Sequence, residues 1–221
     1  MQLSLPPARY SKSDDIIQFY EALNDRLAAL PASRAVGAVS LLPLSGLLST
    51  MDVTFPDRPM PPPDEVPQAH FRIVSAGYFE AAGIRVVAGR VFSASDSVTS
   101  RPVAVVSRTF ADRHWPGASA VGRSLRLPIG PSPPLLEVVG VVSDVKQFTL
   151  DRDPTADLCV PPASDAAVAG GLLVARMYWV VRTRDDPRQL EAAVRNAVHS
   201  VDPDVATSSM RTLEALLQAS A

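Results

Sequence analysis

Two stretches, one near each end of the chain, follow the same plan, and this repetition constrains the fold more than any other feature. The first is "LSLPPARYSKSDDIIQFYEALNDRLAALPASRAVGAVSLLP", in which Ser11 and Asp14 have the S-x-x-D spacing of a capping box. Ile16, Tyr20, Leu23, Leu27 and Leu30 then recur at steps of four and three, the apolar stripe of an amphipathic helix, and Pro31 stops it. A strand is expected from Val36 to Leu42. The second stretch is "YWVVRTRDDPRQLEAAVRNAVHSVDPDVATSSM". Tyr178 to Val181 reads as a strand, being aromatic and β-branched. Asp186 is placed to cap a helix, with Pro187 at its first position and Gln189 as capping partner. Leu190, Val194, Ala197 and Val201 make the inward stripe. Asp202-Pro203 ends the helix, and Val205 to Met210 can return as a strand.

Both ends therefore read as strand, helix, strand, and the chain opens inside a strand, as a fragment of something longer would. Neither unit can bury both its helix stripe and its sheet face alone. Side by side they would make one four-stranded sheet with two helices on one face, the α+β plan of ferredoxin-like domains. The expected organisation is a discontinuous unit of residues 1–48 and 176–221, split by an insertion of residues 49–175.

Within that insertion, "SGLLSTMDVTFPDRPMPPPDEVPQA" reads as an aperiodic, proline-rich connector. Phe71 to Val74 is a short strand. Ala76 to Ala82 is a short helix, with Gly83 as its left-handed stop. Val103 to Val106 is a buried strand, and Ser107 caps a helix that ends at Trp115-Pro116-Gly117. Ser124 to Leu127 and Leu136 to Val142 are further strands, and "PPASDAAVAGG" is a loop. The 21 prolines among 221 residues are about twice the usual share of roughly 5%, which implies many stiff connections.

The residues that could carry chemistry are dispersed. His70, His114 and His199 fall in different elements, without the spacing of a metal site. Asp14-Asp15 and Asp185-Asp186 sit at helix starts, where carboxylates meet the helix dipole. Asp144, after the apolar strand, is the most enzyme-like carboxylate, although a turn role explains it. Gly77, Gly83 and Gly89 miss the dinucleotide and P-loop spacings, and no G-x-S-x-G elbow is present. Catalytic, cofactor-binding and metal residues are therefore all expected to be none. A net charge of −2 excludes a nucleic-acid footprint. The lone Cys159 allows no intrachain disulfide and reads as a small buried apolar residue. No apolar run reaches the roughly 20 residues of a membrane span.

Four segments carry a resemblance: "VSAGYFEAAGIRVVAGRVFSASD", "PVAVVSRTFADRHWPGASAVGRSLRL", "EVVGVVSDVK" and "VVRTRDDPRQLEAAVRNAVHSVDPDV". In order, and over almost the whole chain, they resemble the MacB-like periplasmic core domain of MacB/FtsX-type ABC transporter permeases. The resemblance implies a domain outside the cytoplasmic membrane, lying between the first two membrane helices of a parent permease. It implies a "porter" part of two β-α-β units split by a β-rich "sabre" part. The implied partners are an ABC ATPase subunit or domain, a second permease protomer, and a periplasmic adaptor or cargo. The excised domain itself is expected to be monomeric. The implied role is non-catalytic mechanotransmission, with capture of a peptide, lipid or lipoprotein between the two parts as the alternative. An enzyme using Asp144 is a third reading, which requires a second acid or base beside it. The final helix, from Thr212 through Leu213, Leu216 and Leu217 past Ser220, is expected to act as a lever. Departures from the family pattern are Cys159, where an aromatic is common, and the alanine-rich loop Ser164 to Gly171.

Overall fold

The computed structural model describes residues 1–45, 47, 49–93, 95–96, 101–129, 133–147, 151, 153–162, 175–208 and 210–219. The boundary expected near Leu48, the loop Ser164 to Gly171 and the lever position Ser220 lie outside the described residues. The fold is α+β, with two sheets.

The smaller sheet joins the two ends of the chain. Strands β1 (Gln2–Ser4), β2 (Ser33–Val39), β10 (Arg176–Thr183) and β11 (Ala206–Thr207) lie in the order β11-β1-β10-β2, all antiparallel. Helices α1 (Ser13–Ala28) and α4 (Glu191–Val201) cover one face. This order is that of two interleaved β-α-β units, the ferredoxin-like plan. Ile16, Tyr20, Leu23 and Leu27 are buried as their spacing requires, as are Leu190, Val194 and Ala197. Period-two alternation along β10 sends Met177 and Trp179 to the helix side, where Trp179 packs against Tyr20.

Three local expectations need correction. The Ser11/Asp14 capping box does not form: the N-cap is Lys12, whose side chain makes no capping bond. Asp186 does cap, accepting from the Arg188 N–H at 3.0 Å, but the turn it opens over Pro187–Leu190 is a 3-10 turn that only then widens into α4. The return strand pairs only at Ala206 and Thr207, where Asp202-Pro203 leaves a short run.

The larger sheet draws on residues 50 to 160. Its strands are β3 (Thr50–Asp52), β4 (Gln68–Ile73), β5 (Val86–Gly89), β6 (Val103–Ser107), β7 (Ser124–Arg126), β8 (Leu135–Val142) and β9 (Asp157–Val160). They run β3-β4-β9-β6-β8, and β8 then shares its outer edge between β7 and β5. The proline-rich stretch is thus more than a connector, because it contains β3. Beyond β3, Thr54 and Arg126 exchange backbone bonds of 3.0 and 2.8 Å, which ties β7 back to the opposite edge. Six strands thereby curl into a partly closed barrel. Phe71, Ile73, Leu125, Leu136, Val138, Leu158 and Val160 fill it, with Phe110 and Trp115 from helix α3 (Arg108–His114).

The two sheets share a core. Helix α2 (Tyr78–Ala82) lies against the face of the small sheet opposite α1 and α4. Its Tyr78, Phe79 and Ala81 form one cluster with Ala35, Val39 and Val180 of the small sheet and with Val103, Val105, Val142 and Cys159 of the large one. Gly37 permits the approach, because a Cβ there would collide with the backbone of Tyr78 and Gly77. The Gly37→Ala substitution should therefore overpack this seam and cost about 1–3 kcal/mol, read as a lower urea midpoint at unchanged slope. An unchanged midpoint would show that the approach is not tight.

Candidate functional site

A cavity of about 560 Å³ lies beside β10. That is within the roughly 300–1,000 Å³ of small-molecule and peptide sites. Val181, Leu190 and Val194 line it on the helix side of the small sheet; Leu42, Tyr178 and Val180 line it on the other. Helix α5 (Leu213–Ala219), capped by the Thr212 hydroxyl at 3.1 Å from the Ala215 N–H, closes one wall with Leu213 and Leu216. This helix buries no residue fully, and Leu213 and Leu217 stay 40% and 42% exposed. A second cavity of about 350 Å³ lies on the other side of α5, against Leu44, Tyr78, Ile84 and Asp144.

The charges at the larger cavity are unbalanced. Glu191 is already bonded to Arg195 at 2.9 Å. Arg182 gives its Nε–H to the Ala81 carbonyl at 3.2 Å, and neither it nor Arg211 meets a carboxylate among the described residues. The cleft therefore offers apolar walls with two arginines, Arg182 and Arg211, and an ion-paired Glu191 at its rim.

The sequence-selected polar residues lie outside this cavity. Asp144 accepts the Thr109 N–H at 2.8 Å, and Ser107 accepts that of Phe110 at 3.2 Å, so together they hold the first turn of α3. His70 is in β4, His114 at the end of α3 and His199 in α4, and no group of three potential metal ligands occurs among the described residues. Burial pushes the Cys159 thiol up to about 12, so it is a thiol rather than a thiolate at neutral pH.

A buried polar cluster escaped sequence reasoning. On the outer face of the barrel, Arg72 donates to Asp157 at 2.7 Å and to Gln147 at 2.8 Å, while Gln147 Nε2 donates to the other Asp157 oxygen at 2.8 Å. Thr155 adds a bond to Asp157 at 3.1 Å. Arg72 and Asp157 are 4% and 5% exposed. Burial raises the Asp157 carboxyl while Arg72 opposes it. The Gln147 backbone carbonyl accepts the Leu44 N–H at 2.9 Å, which ties the chain after β8 to the chain after β2. Arg72 lies 75 positions from Gln147 and 85 from Asp157, so no local pattern announces the cluster. This cluster is a strut: both terminal guanidinium nitrogens of Arg72 bond within it, and its Nε–H has no partner among the described residues.

The profile of the MacB-like periplasmic core domain matches residues 9–197. The chain belongs to that family. It is thus an extracytoplasmic domain of a MacB-like ABC transporter permease, and membership implies an ABC ATPase as partner. The fold agrees with two solved structures. The periplasmic region of MacB from Actinobacillus actinomycetemcomitans is similar over 90% of this chain and 82% of that one, at TM-score 0.58 and 14% identity. The extracellular domain of the noncanonic ABC-type transporter YknZ from Gram-positive bacteria is similar over 94% and 98%, at TM-score 0.50 and 15% identity. A comparison with curated protein sequences gives no match. No described helix is long and apolar enough to cross a membrane.

Two outcomes follow for this MacB-like domain. Truncating Arg72→Ala leaves Asp157 buried and unpaired and should cost about 3–5 kcal/mol in chemical denaturation, with much of it recovered in the double variant carrying Asp157→Leu. Equal losses in the single and double variants would contradict the strut. His114 is held down to about 4 by burial, with Arg58 and Arg113 adding to the effect. Its unfolded value is near 6.5, so the unfolded chain binds the extra proton first. Stability from His114 is present above about pH 6.5 and is lost as pH falls toward about 4. The variant His114→Phe should flatten that window relative to the parent, as read by urea midpoints across it, and identical slopes would contradict the assignment.

Proposed function

We propose that this domain is a non-catalytic mechanical link. It passes movement of the permease's membrane helices, driven by ATP hydrolysis on the cytoplasmic ATPase, to an adaptor or cargo outside the membrane. The observation that carries this reading is the core shared by the two sheets around α2, which makes the small sheet and the barrel turn together. A second feature suits it. The Ser208 N–H bonds to the Gln2 carbonyl at 3.0 Å and the Gln2 N–H to the Ser208 hydroxyl at 2.8 Å, so the start of β1 and the segment leading to α5 lie at the same end of the small sheet. A pull there reaches β1 and β11 together.

In this reading residues 1–48 and 176–221 are the porter part, anchored to the membrane helices, and residues 49–175 are the sabre part, which meets the partner. A second protomer joins through the membrane helices, and the excised domain is a monomer. Helix α5 is the lever. Inserting two glycines between Ala219 and Ser220 of the full-length permease should abolish transport while ATP hydrolysis continues. Transport at the parent rate, with the inserted protein present in the membrane, would refute the lever.

A further inference from the structure

The cavity of about 350 Å³ beside α5 lies where the small sheet meets the larger one, and its walls come from segments far apart in the chain. Leu44 follows β2, Tyr78 and Ile84 belong to α2 and its exit, Asp144 follows β8, and Leu216 faces in from α5. These walls are pinned to one another. The Ser143 N–H donates to the Arg85 carbonyl at 2.8 Å and the Arg85 N–H to the Ser143 hydroxyl at 3.2 Å, which joins the exit of α2 to the chain after β8. The Leu44 N–H reaches the Gln147 carbonyl at 2.9 Å, which joins the chain after β2 to the same segment. The cavity is thus formed before anything enters it, as small-molecule sites usually are.

Two features of its wall are not explained by packing. Leu44 is the one non-glycine residue with a positive φ, 62°, among the described residues. Residues with a Cβ avoid that region because the Cβ comes too close to the following carbonyl oxygen. The bond to Gln147 holds Leu44 there, half-buried at the cavity wall. Strained backbone of this kind concentrates where ligands are clamped. The second feature is Tyr78. It is 2% exposed and its ring packs edge-on against Phe79, yet its hydroxyl has no hydrogen-bond partner among the described residues. Buried tyrosine hydroxyls are ordinarily paired. Burial pushes this phenol well above its usual range, so it keeps its proton at neutral pH and is a donor.

The neighbouring polar groups are already committed. The Ser143 hydroxyl accepts from Arg85, and Asp144 accepts the Thr109 N–H at 2.8 Å. A water in the cavity would need roughly two to four polar partners and would meet leucine, proline, valine and isoleucine side chains instead. A molecule with an apolar body and one acceptor fits better. It satisfies the hydroxyl and removes the apolar walls from water in the same step.

We propose that this cavity is a binding site for a small, neutral, apolar molecule carrying one oxygen acceptor, which receives a hydrogen bond from the Tyr78 hydroxyl. Leu44 and Ile84 clasp its apolar body, and α5 covers it through Leu216. The site is independent of the lever, since it concerns what the seam between the sheets holds rather than what the domain transmits.

The test titrates the whole chain, carrying isotope-labelled methyl groups, with hexyl methyl ketone and separately with heptyl chloride. The two probes are of similar apolar size, but the chloride lacks a strong acceptor. Both should shift the Leu44, Ile84 and Leu216 methyl resonances saturably. The ketone should bind about three- to tenfold tighter, the factor of one hydrogen bond. Tyr78→Phe keeps the ring and removes the donor, so it should bring the two affinities within about twofold of each other. If that variant fails to fold, the comparison of ketone with chloride in the parent decides alone. Absence of saturable shifts overturns the proposal, as does equal binding of the two probes by the parent. So does a preference for the ketone that survives in Tyr78→Phe, or a response centred on Val194 and Met210 of the other cavity.

Discussion

Strand β2 is the member on which both sheets depend. One edge pairs with β10 from Ser33 to Val39, and the other edge, at Val39, bridges to Val74 just past β4. The Ser40 N–H reaches the Ile73 carbonyl at 2.9 Å, and the Val74 N–H continues to Val160 at the same distance. A single strand thus passes hydrogen bonding from the small sheet into the barrel. Its inner face holds Val36 and Ala38 against α1, and its outer face holds Ala35, Gly37 and Val39 against α2. Burial on both sides leaves β2 almost no freedom to slip, because a shift of one residue would exchange those faces.

This arrangement decides how the polar residues are used. Ser107, Asp144, Gln147 and Asp157 each close a joint between elements that meet far apart in sequence, and their bonds are directed at backbone or at one another. Such groups stiffen a body, since an incomplete buried network costs more than none. At the cavity beside β10, Arg182 and Arg211 meet no carboxylate among the described residues. Rigid seams of this kind suit the mechanical role proposed above. Helix α5 is mostly exposed, with only Leu216 partly buried.

The helices of the small sheet were legible in the sequence because their signals are local. Steps of three and four fixed the stripes of α1 and α4, Ser107 and Gly83 marked true helix ends, and Pro31 and Asp202-Pro203 marked stops. What failed was also local in origin. A capping box at Ser11 was plausible by spacing, but the helix enters at Lys12, where the chain arrives in extended conformation. Strand β3 was hidden because three residues carry no period, and what holds them is pairing with β4 some 18 positions away. The resemblance to the MacB-like family was readable because its four segments keep their order. The Arg72 cluster was not readable, since it arises only where distant segments meet.

The central claim is that the small sheet and the barrel are one mechanical body. The chain carries two tryptophans, and the fold puts Trp179 in the small sheet and Trp115 in the barrel core. Urea unfolding of the single-tryptophan variants Trp115→Phe and Trp179→Phe, each also followed by far-ultraviolet circular dichroism, therefore reads the two parts separately. A shared core predicts that, within each variant, fluorescence and dichroism trace one coincident transition. Two separated transitions, with one tryptophan exposed while the other part stays folded, would contradict it.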